Sequence, residues 1–315
     1  MPEAADFSKT PTISIVIPAF NRANTLVRNF ESIAAQTQPV FEVVLVDDGS
    51  VDNTKTLVTE WQNRDLFSLR YLYQENQGKH IAHNTGVQAA KGEFTFILDS
   101  DDWLPEDSLE RISQVWRSVP EEKRETFAGL EGHCCFANGE IEGTPFPQDV
   151  FDSDFLTMRR DAGVKGDKKA VIKTSVLKEF LYPKFEGERH IRPSLLWKEI
   201  ALKYKIRYVN QIFQFKELQP GGLSSNRFSL RMRNPKGFTF YYLQDVNRFQ
   251  KKAPFKKRFD SMLKYCRYAF HAGVSVSEQR SAVQSFALWM LAIPFAYLKY
   301  RGDSKRLIKS KSEPS

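Results

Sequence analysis

The chain has 315 residues, 41% of them hydrophobic, which is enough for a substantial core in one large domain or in a catalytic domain with an appendage. Its net charge of +8 is concentrated at one end: residues 248–315 hold 15 Lys/Arg against 4 acids, so the remainder is slightly acidic. The basic stretch has an amphipathic helical pattern with no aromatics interleaved along a groove, so no nucleic-acid partner is expected.

Residues 1–11 read as a flexible N-terminus; with Glu3 and Asp6 and no apolar run they do not form a secretory signal, and a cytoplasmic location is expected. Residues 12–18 (TISIVIP) are β-branched and apolar, as in a strand buried on both faces of a parallel sheet. Leu26, Phe30, Ile33, Ala34 and Thr37 then recur at helical spacing, with Asn24 as the expected N-cap. A second unit has a strand over 41–46, the turn Asp47-Asp48-Gly49-Ser50, and a helix carrying Thr54, Leu57, Val58 and Trp61. The third runs from strand 68–73 through Asn76-Gln77-Gly78-Lys79 into a helix over about 80–90, and a fourth strand, 93–98, leads into Asp99-Ser100-Asp101-Asp102.

Beyond a helix at 106–118, opened by Pro105, Glu106 and Asp107, the pattern predicts a strand over 126–137, a turn-rich excursion over 138–167 and a strand over 168–172. A helix over 193–203 and a strand over 206–215 follow, with Gly221-Gly222 marking a loop. Cys134, Cys135 and Cys266 suit neither a disulfide framework nor a zinc site. The expected organisation is an α/β domain over 12–225, a helical, basic region over 226–301 and a disordered tail over 302–315.

Four β-then-α units in series imply a doubly wound, mostly parallel sheet, because parallel strands need helical crossovers. Ligands bind such sheets beyond the carboxyl ends of the strands, where this chain carries Asn21, Asp47/Asp48 and Asp99/Asp101/Asp102. Alternate carboxylates leaving a strand can hold a hard divalent cation, although the same acids alone would also make a solvated turn capping the next helix. Asp47-Asp48 can accept hydrogen bonds from a base or ribose, or form an Asx-type turn. Gly78-Lys79 at a helix start suits a phosphate and is equally compatible with an ordinary turn.

In the C-terminal region, Lys256, Lys257, Lys264 and Arg267 fall on one side of a helix over 256–270, with Phe259, Met262, Leu263, Cys266, Ala269 and Phe270 on the other. Residues 286–298 form a 13-residue apolar run broken by Pro294, shorter than the roughly 20 residues of a spanning helix. Flanked by Lys299, Arg301, Lys305, Arg306, Lys309 and Lys311, it predicts an interfacial helix on an anionic membrane surface. The alternative is that both segments bury their apolar faces against the rest of the protein or a second subunit.

The segments PAFNRANTL (18–26), VLVDDGSVDNT (44–54), NQGKHIAHNTGVQAAKGEF (76–94) and FILDSDDWLPED (96–107) resemble the successive signatures of family 2 glycosyltransferases, in family order and over about a third of the chain. FEGERHIRPSLLWKEIALKYKIRYVNQ (185–211) is similar to that family's acceptor half. The resemblance implies a GT-A fold, with 12–118 as the nucleotide-sugar-binding half and 119–225 as the acceptor half. It also implies inverting transfer of a sugar from a nucleoside diphosphate sugar, a UDP-sugar foremost, to a glycan or lipid-linked glycan, assisted by Mg²⁺ or Mn²⁺. By the same resemblance Pro18, Phe20 and Asn21 line the nucleoside pocket, Asp48 contacts the base and Lys79 lies near the nucleotide. Asp99 and Asp101 are the DxD pair, Asp101 the direct metal ligand, with Asp102 supporting. Glu188 matches the catalytic base; many members carry two acids in succession there, whereas this chain has Arg189 next, and Glu186 nearby is the other candidate. A catalytically silent GT-A domain that binds nucleotide or glycan is the second reading.

Overall fold

The computed structural model describes residues 12–38, 41–217 and 227–312. The elements in chain order are β1 (Ile13–Ala19), α1 (Ala23–Ala34), β2 (Phe41–Asp47), α2 (Thr54–Arg64), β3 (Ser68–Tyr73), α3 (Lys79–Ala89), β4 (Phe94–Ile97) and α4 (Ser108–Arg117). After a short 3₁₀ turn come β5 (Phe127–Phe136), β6 (Val150–Ser153), α5 (Phe155–Arg160), β7 (Lys168–Lys173), α6 (Thr174–Glu179), α7 (Ser194–Ile200) and β8 (Lys205–Lys216). The remainder is helical: α8 (Arg227–Met232), α9 (Pro235–Gln244), α10 (Phe255–His271), α11 (Val276–Ala282) and α12 (Phe286–Ser312). The chain divides into two compact units, Met1–Pro183 with Leu196–Gly222, and Lys184–Leu195 with Leu223–Ser315.

In the first unit the eight strands form one sheet, ordered β3-β2-β1-β4-β7-β5-β8-β6. Strands β1 to β4 pair only in parallel with one another; β7 runs antiparallel to β4 and β5, and β6 antiparallel to β8. Period-two alternation sends successive residues to opposite faces. Ile13, Ile15 and Ile17 of β1 pack with Leu26, Phe30 and Ile33 of α1, Val58 and Trp61 of α2, and Ile112 and Val115 of α4. On the other face Val16, Val44 and Val46 pack with Ala82 of α3. That division is the doubly wound arrangement expected from the sequence. At Gly86 the α3 backbone lies so close to β1 that a Cβ would come within 2.2 Å of Val16 Cγ1.

Asn24 is not the N-cap of α1: the helix begins at Ala23, and its first N–H groups are met from the following β–α connection. Ala23 N–H donates to Asp52 Oδ2 (3.1 Å) and Arg22 N–H to Thr54 Oγ1 (3.1 Å). Within the expected turn-rich excursion the structure forms β6 and α5, and α6 follows β7 directly. The Gly221-Gly222 loop and residues 1–11 lie outside the described residues.

In the second unit α10 packs against α9 and α12, burying Met262, Cys266 and Ala269, so the apolar side of that basic helix is occupied by protein. The expected disordered tail is helical as far as Ser312. Arg267 Nε and Nη2 each donate to Asp303 at 2.6 Å, and His271 lies 3.0 Å from the same carboxylate, which fastens the polar half of α12 to α10. No helix among the described residues is long and apolar enough to cross a membrane.

Candidate functional site

The ends of β1 and β2 are clasped together. Pro18 is buried in β1, Phe20 just beyond it is 44% exposed, and Asn21 adopts a left-handed conformation with φ 53°. Asn21 N–H donates to Ser50 Oγ (2.8 Å), and Val51 N–H donates back to Asn21 Oδ1 (2.9 Å). Gly49, at φ +83°, lies where a Cβ would sit 2.8 Å from Asn76 N, so the turn after β2 needs glycine both for conformation and for contact with the loop before α3.

Both acids of that turn are buried and turned inward. Asp47 accepts from Ser50 N–H (2.8 Å) and the Tyr71 hydroxyl (2.7 Å). Asp48 accepts from Gln74 Nε2 (2.7 Å), Gln77 N–H (2.9 Å) and Gly78 N–H (2.8 Å). The carboxylate assigned to the base by resemblance therefore shapes the loop that delivers Lys79 to the start of α3.

The acids after β4 are arranged differently. Carboxylate oxygens of Asp99, Asp101 and Asp102 lie within 4.8 Å of one another. Their backbone is held from elsewhere: Asn29 Nδ2 donates to the carbonyls of Asp99 (3.1 Å) and Asp102 (2.8 Å), and Arg28 Nη2 to that of Asp101 (3.2 Å). Arg28 also stacks 3.8 Å from the Trp103 ring centre and pairs with Glu217 at 2.9 Å. Gln214 donates its amide to Asp102 Oδ2.

Lys79 Nζ lies 2.9 Å from Asp99 Oδ1. Burial opposes ionisation of both groups, but Lys79, with Lys169 and Lys216 further off, holds the Asp99 carboxyl below its usual range, and Asp99 in turn raises the Lys79 ammonium. Asp102 is raised instead, first by burial and then by the neighbouring Asp99 charge. One turn after Lys79, His83 is buried edge-on to Tyr182 with ring centres 5.0 Å apart. Burial pushes its pKa down to about 4, so the ring is neutral near pH 7.

The sequence-predicted Pro18, Phe20, Asn21, Asp48, Lys79, Asp99 and Asp101 thus belong to one unit, and Lys79 meets the acidic cluster directly. Arg28, Asn29 and Gln214 are supporting residues that the motifs did not reveal. Asn29 had a signal: it is a polar residue on the α1 face that carries Leu26, Phe30 and Ile33, and it is fully buried.

Glu188 belongs to the second unit, where its carboxylate accepts Lys236 N–H (2.6 Å) and Gly237 N–H (2.7 Å) at the start of α9. Asn234 Oδ1 accepts Arg189 N–H (2.8 Å) and His190 N–H (2.9 Å), fixing the same short loop. Burial raises the Glu188 pKa even though the two backbone N–H groups and Lys236 act in the opposite direction. Glu186 is exposed.

Residues 14–119 match the family model for glycosyl transferase family 2. Glycosyltransferase GlyG of Streptococcus pneumoniae is 41% identical over 103 residues, 32% of this chain and 34% of the relative. The GalNAc(5)-diNAcBac-PP-undecaprenol beta-1,3-glucosyltransferase of Campylobacter jejuni is 29% identical over 213 residues, 65% of this chain and 64% of the relative. Among solved structures, S. aureus TarS 1-349 in complex with UDP-GlcNAc superposes with a TM-score of 0.57 at 17% identity, covering 92% of this chain and 91% of that one. The mannosyltransferase PcManGT from Pyrobaculum calidifontis, in complex with GDP-Man and Mn²⁺, gives 0.53 at 21% identity, covering 96% and 84%.

The fold is the GT-A fold. Residues 14–119, about a third of the chain, carry the match to glycosyl transferase family 2. The match spans about a third of the length of several curated relatives, including GlyG and a glycosyltransferase of Nostoc.

Proposed function

We propose that this chain is a glycosyltransferase that moves a sugar from a nucleoside diphosphate sugar, a UDP-sugar foremost, to a glycan or lipid-linked glycan acceptor with inversion. The observation that carries this reading is the gathering of Asp99, Asp101 and Asp102 beside Lys79 at the carboxyl end of a parallel strand. UDP-GlcNAc in TarS and GDP-Man in PcManGT support the donor class. The undecaprenol-linked glycan in the name of the Campylobacter relative supports the acceptor class.

Three carboxylate oxygens within 4.8 Å are a hard donor set that fits Mg²⁺ or Mn²⁺, with Asp101 and Asp99 as the residues that would hold it. When bound, such a cation supplies positive charge against the diphosphate oxygens of the donor. Asp102, raised in pKa and held by Gln214, fixes the turn that presents the other two. Lys79 compensates Asp99 in the structure, and a diphosphate offers the ammonium a second anionic partner at the same place. Pro18, Phe20 and Asn21 are assigned to the nucleoside. Asp48 acts on it while anchoring the loop before α3. Glu188 is assigned to the acceptor proton: its raised pKa makes it a stronger base than an ordinary glutamate, and the two N–H groups leave one lone pair on each oxygen.

Thermal unfolding with Mn²⁺ and a panel of UDP-, GDP- and dTDP-sugars tests the donor assignment, because a ligand of the native state raises the melting temperature. One nucleotide class should protect, and full-length protein should release its nucleoside diphosphate in the presence of acceptor only when metal is present. Protection without release would establish the silent, ligand-binding reading; turnover undiminished in excess EDTA would overturn the metal assignment.

A further inference from the structure

The helix α12 has two apolar sides, and only one of them is packed. At about 100° per residue, Leu288, Trp289, Ala292, Ala296 and Asp303 fall on one side, and all are buried. Met290, Leu291, Pro294 and Leu298 fall on the opposite side and all are exposed, Leu298 at 66%. The same outward side continues into Arg301 and Lys305, also exposed.

Aromatic residues extend this surface onto the neighbouring helix. Phe295, 56% exposed, meets Phe259 of α10 edge-on at 6.2 Å between ring centres, and Phe259 stacks on Phe255, which is 63% exposed, at 6.0 Å. Lys256 and Lys257, next to Phe255 in sequence, are exposed as well. The sole acid in α12, Asp303, is buried and neutralised by Arg267, so no carboxylate of that helix offsets the exposed Lys299, Arg301, Lys305 and Arg306.

We infer that this outer face of α12, continued by Phe255 and Phe259, docks on the surface of an anionic phospholipid bilayer. An apolar strip that adjoins a basic one suits insertion of side chains to the level of the headgroups with Lys and Arg against lipid phosphates. The helix lies on the membrane and does not span it: its apolar part ends at Leu298 and is interrupted by Pro294. Charge selects this occupant over a second copy of the chain, since exposed cations that no carboxylate of the helix offsets complement an anionic surface and not a like-charged one. The α10 lysines contribute charge, while Met262, Cys266 and Ala269 of α10 remain inside the protein. This inference is independent of donor chemistry, and its test does not use activity.

Flotation of full-length protein with phosphatidylglycerol–phosphatidylcholine vesicles, against phosphatidylcholine alone, is the experiment. The protein should float with the anionic vesicles, and binding should fall at least about tenfold from low to high salt while a salt-resistant remainder persists, because screening removes charge attraction and leaves apolar burial. Lys299→Glu with Arg301→Glu and Lys305→Glu should lose most of the low-salt binding. Leu291→Glu with Leu298→Glu should lose the salt-resistant part. Circular dichroism and a melt establish that both variants fold; if the leucine variant unfolds, the charge variant and the lipid dependence of the wild type still decide. Wild-type protein that stays with the soluble fraction in anionic vesicles, or variants that float as the wild type does, would overturn the inference. Self-association in sedimentation velocity that the leucine variant abolishes, without vesicle binding, would assign the face to a second copy.

Discussion

Asp47-Asp48 and Asp99 to Asp102 occupy equivalent places, each where a buried parallel strand leaves the sheet, yet their carboxylates are used in opposite ways. In the turn after β2 the acids are inward and hold the surrounding loops: five donors, the backbone N–H groups of Ser50, Gln77 and Gly78 and the side chains of Tyr71 and Gln74, converge on two side chains. In the turn after β4 the backbone is held by Asn29 and Arg28, so the carboxylates of Asp99 and Asp101 are not needed to hold that backbone, and Asp99 pairs with Lys79 instead. An acid that must build its own loop has fewer lone pairs left for chemistry. An acid whose loop is built by others keeps them.

The largest expected effect follows from the second turn. Asp101→Ala should reduce glycosyl transfer by about 10³ or more, as loss of a group that stabilises developing charge does, with little change in the melt. Its carbonyl still accepts from Arg28, so the turn keeps its shape. Turnover assays with a calorimetric melt check both halves. A variant that melts much earlier would show that the Asp101 side chain, like Asp48, supports the loop.

Asp48→Ala should do the reverse and act first on stability. It leaves Gln77 and Gly78 N–H groups without their acceptor, at about 1–3 kcal/mol for each buried group left unpaired. The melting temperature should fall by several degrees, and nucleotide affinity should weaken because the loop before Lys79 loosens. Calorimetric titration with a nucleoside diphosphate, beside the melt, measures the two effects. Weaker binding with an unchanged melt would make Asp48 a direct ligand group and remove the contrast between the turns.

Glu188 sharpens the comparison, since it combines backbone anchoring with an assigned chemical role. Glu188→Gln replaces one accepting oxygen with an NH₂ that cannot receive Lys236 or Gly237 N–H, so a loss of about 1 kcal/mol is expected in the melt. If the carboxylate takes the acceptor proton, kcat should also fall by about 10² with unchanged nucleotide affinity. A melt that drops with kcat intact would leave Glu188 as an anchor only, and Glu186→Gln would then be the informative variant.

Strands β1, β2 and β4 were legible because parallel strands buried on both faces read as apolar runs, and each ends at a polar turn; the edge strand β3 is only half-covered. The four-residue β6 alternates between exposed and half-covered residues, and α5 and α6 have six residues each, too few for a helical period to stand out. The start of α1 was misread because its caps, Asp52 and Thr54, come from about thirty residues downstream. The DxD acids and Lys79 were visible locally. Asn29, Arg28 and Gln214 act on the acidic turn across separations of 70 to 112 residues, which no local pattern encodes. The tail beyond residue 301 reads as disordered by composition, but the pairing of Asp303 with Arg267 carries the helix on.

Glu131 provides a control for the comparison, because it lies within β5 and away from any strand end. It is 4% exposed, and its nearest cation, Arg159, is 3.6 Å away, too far for a hydrogen bond. Burial pushes its pKa from 4.5 to about 7, with Arg159 and Lys168 offsetting only part of the shift. A carboxyl raised in the folded state binds its proton more tightly there than in the unfolded chain. Its contribution to stability is therefore complete below pH 4.5 and is lost as pH rises to about 7. Glu131→Gln does not titrate, so the variant and wild type should melt alike in acid, and the variant should gain on the wild type toward neutral pH by on the order of 1 kcal/mol once side chains relax. Melts of both proteins across that pH range provide the measurement. A wild type that gains on the variant as pH rises would mean that Arg159 closes on an ionised Glu131, which would make this acid a partner in a buried ion pair and not a neutral core residue.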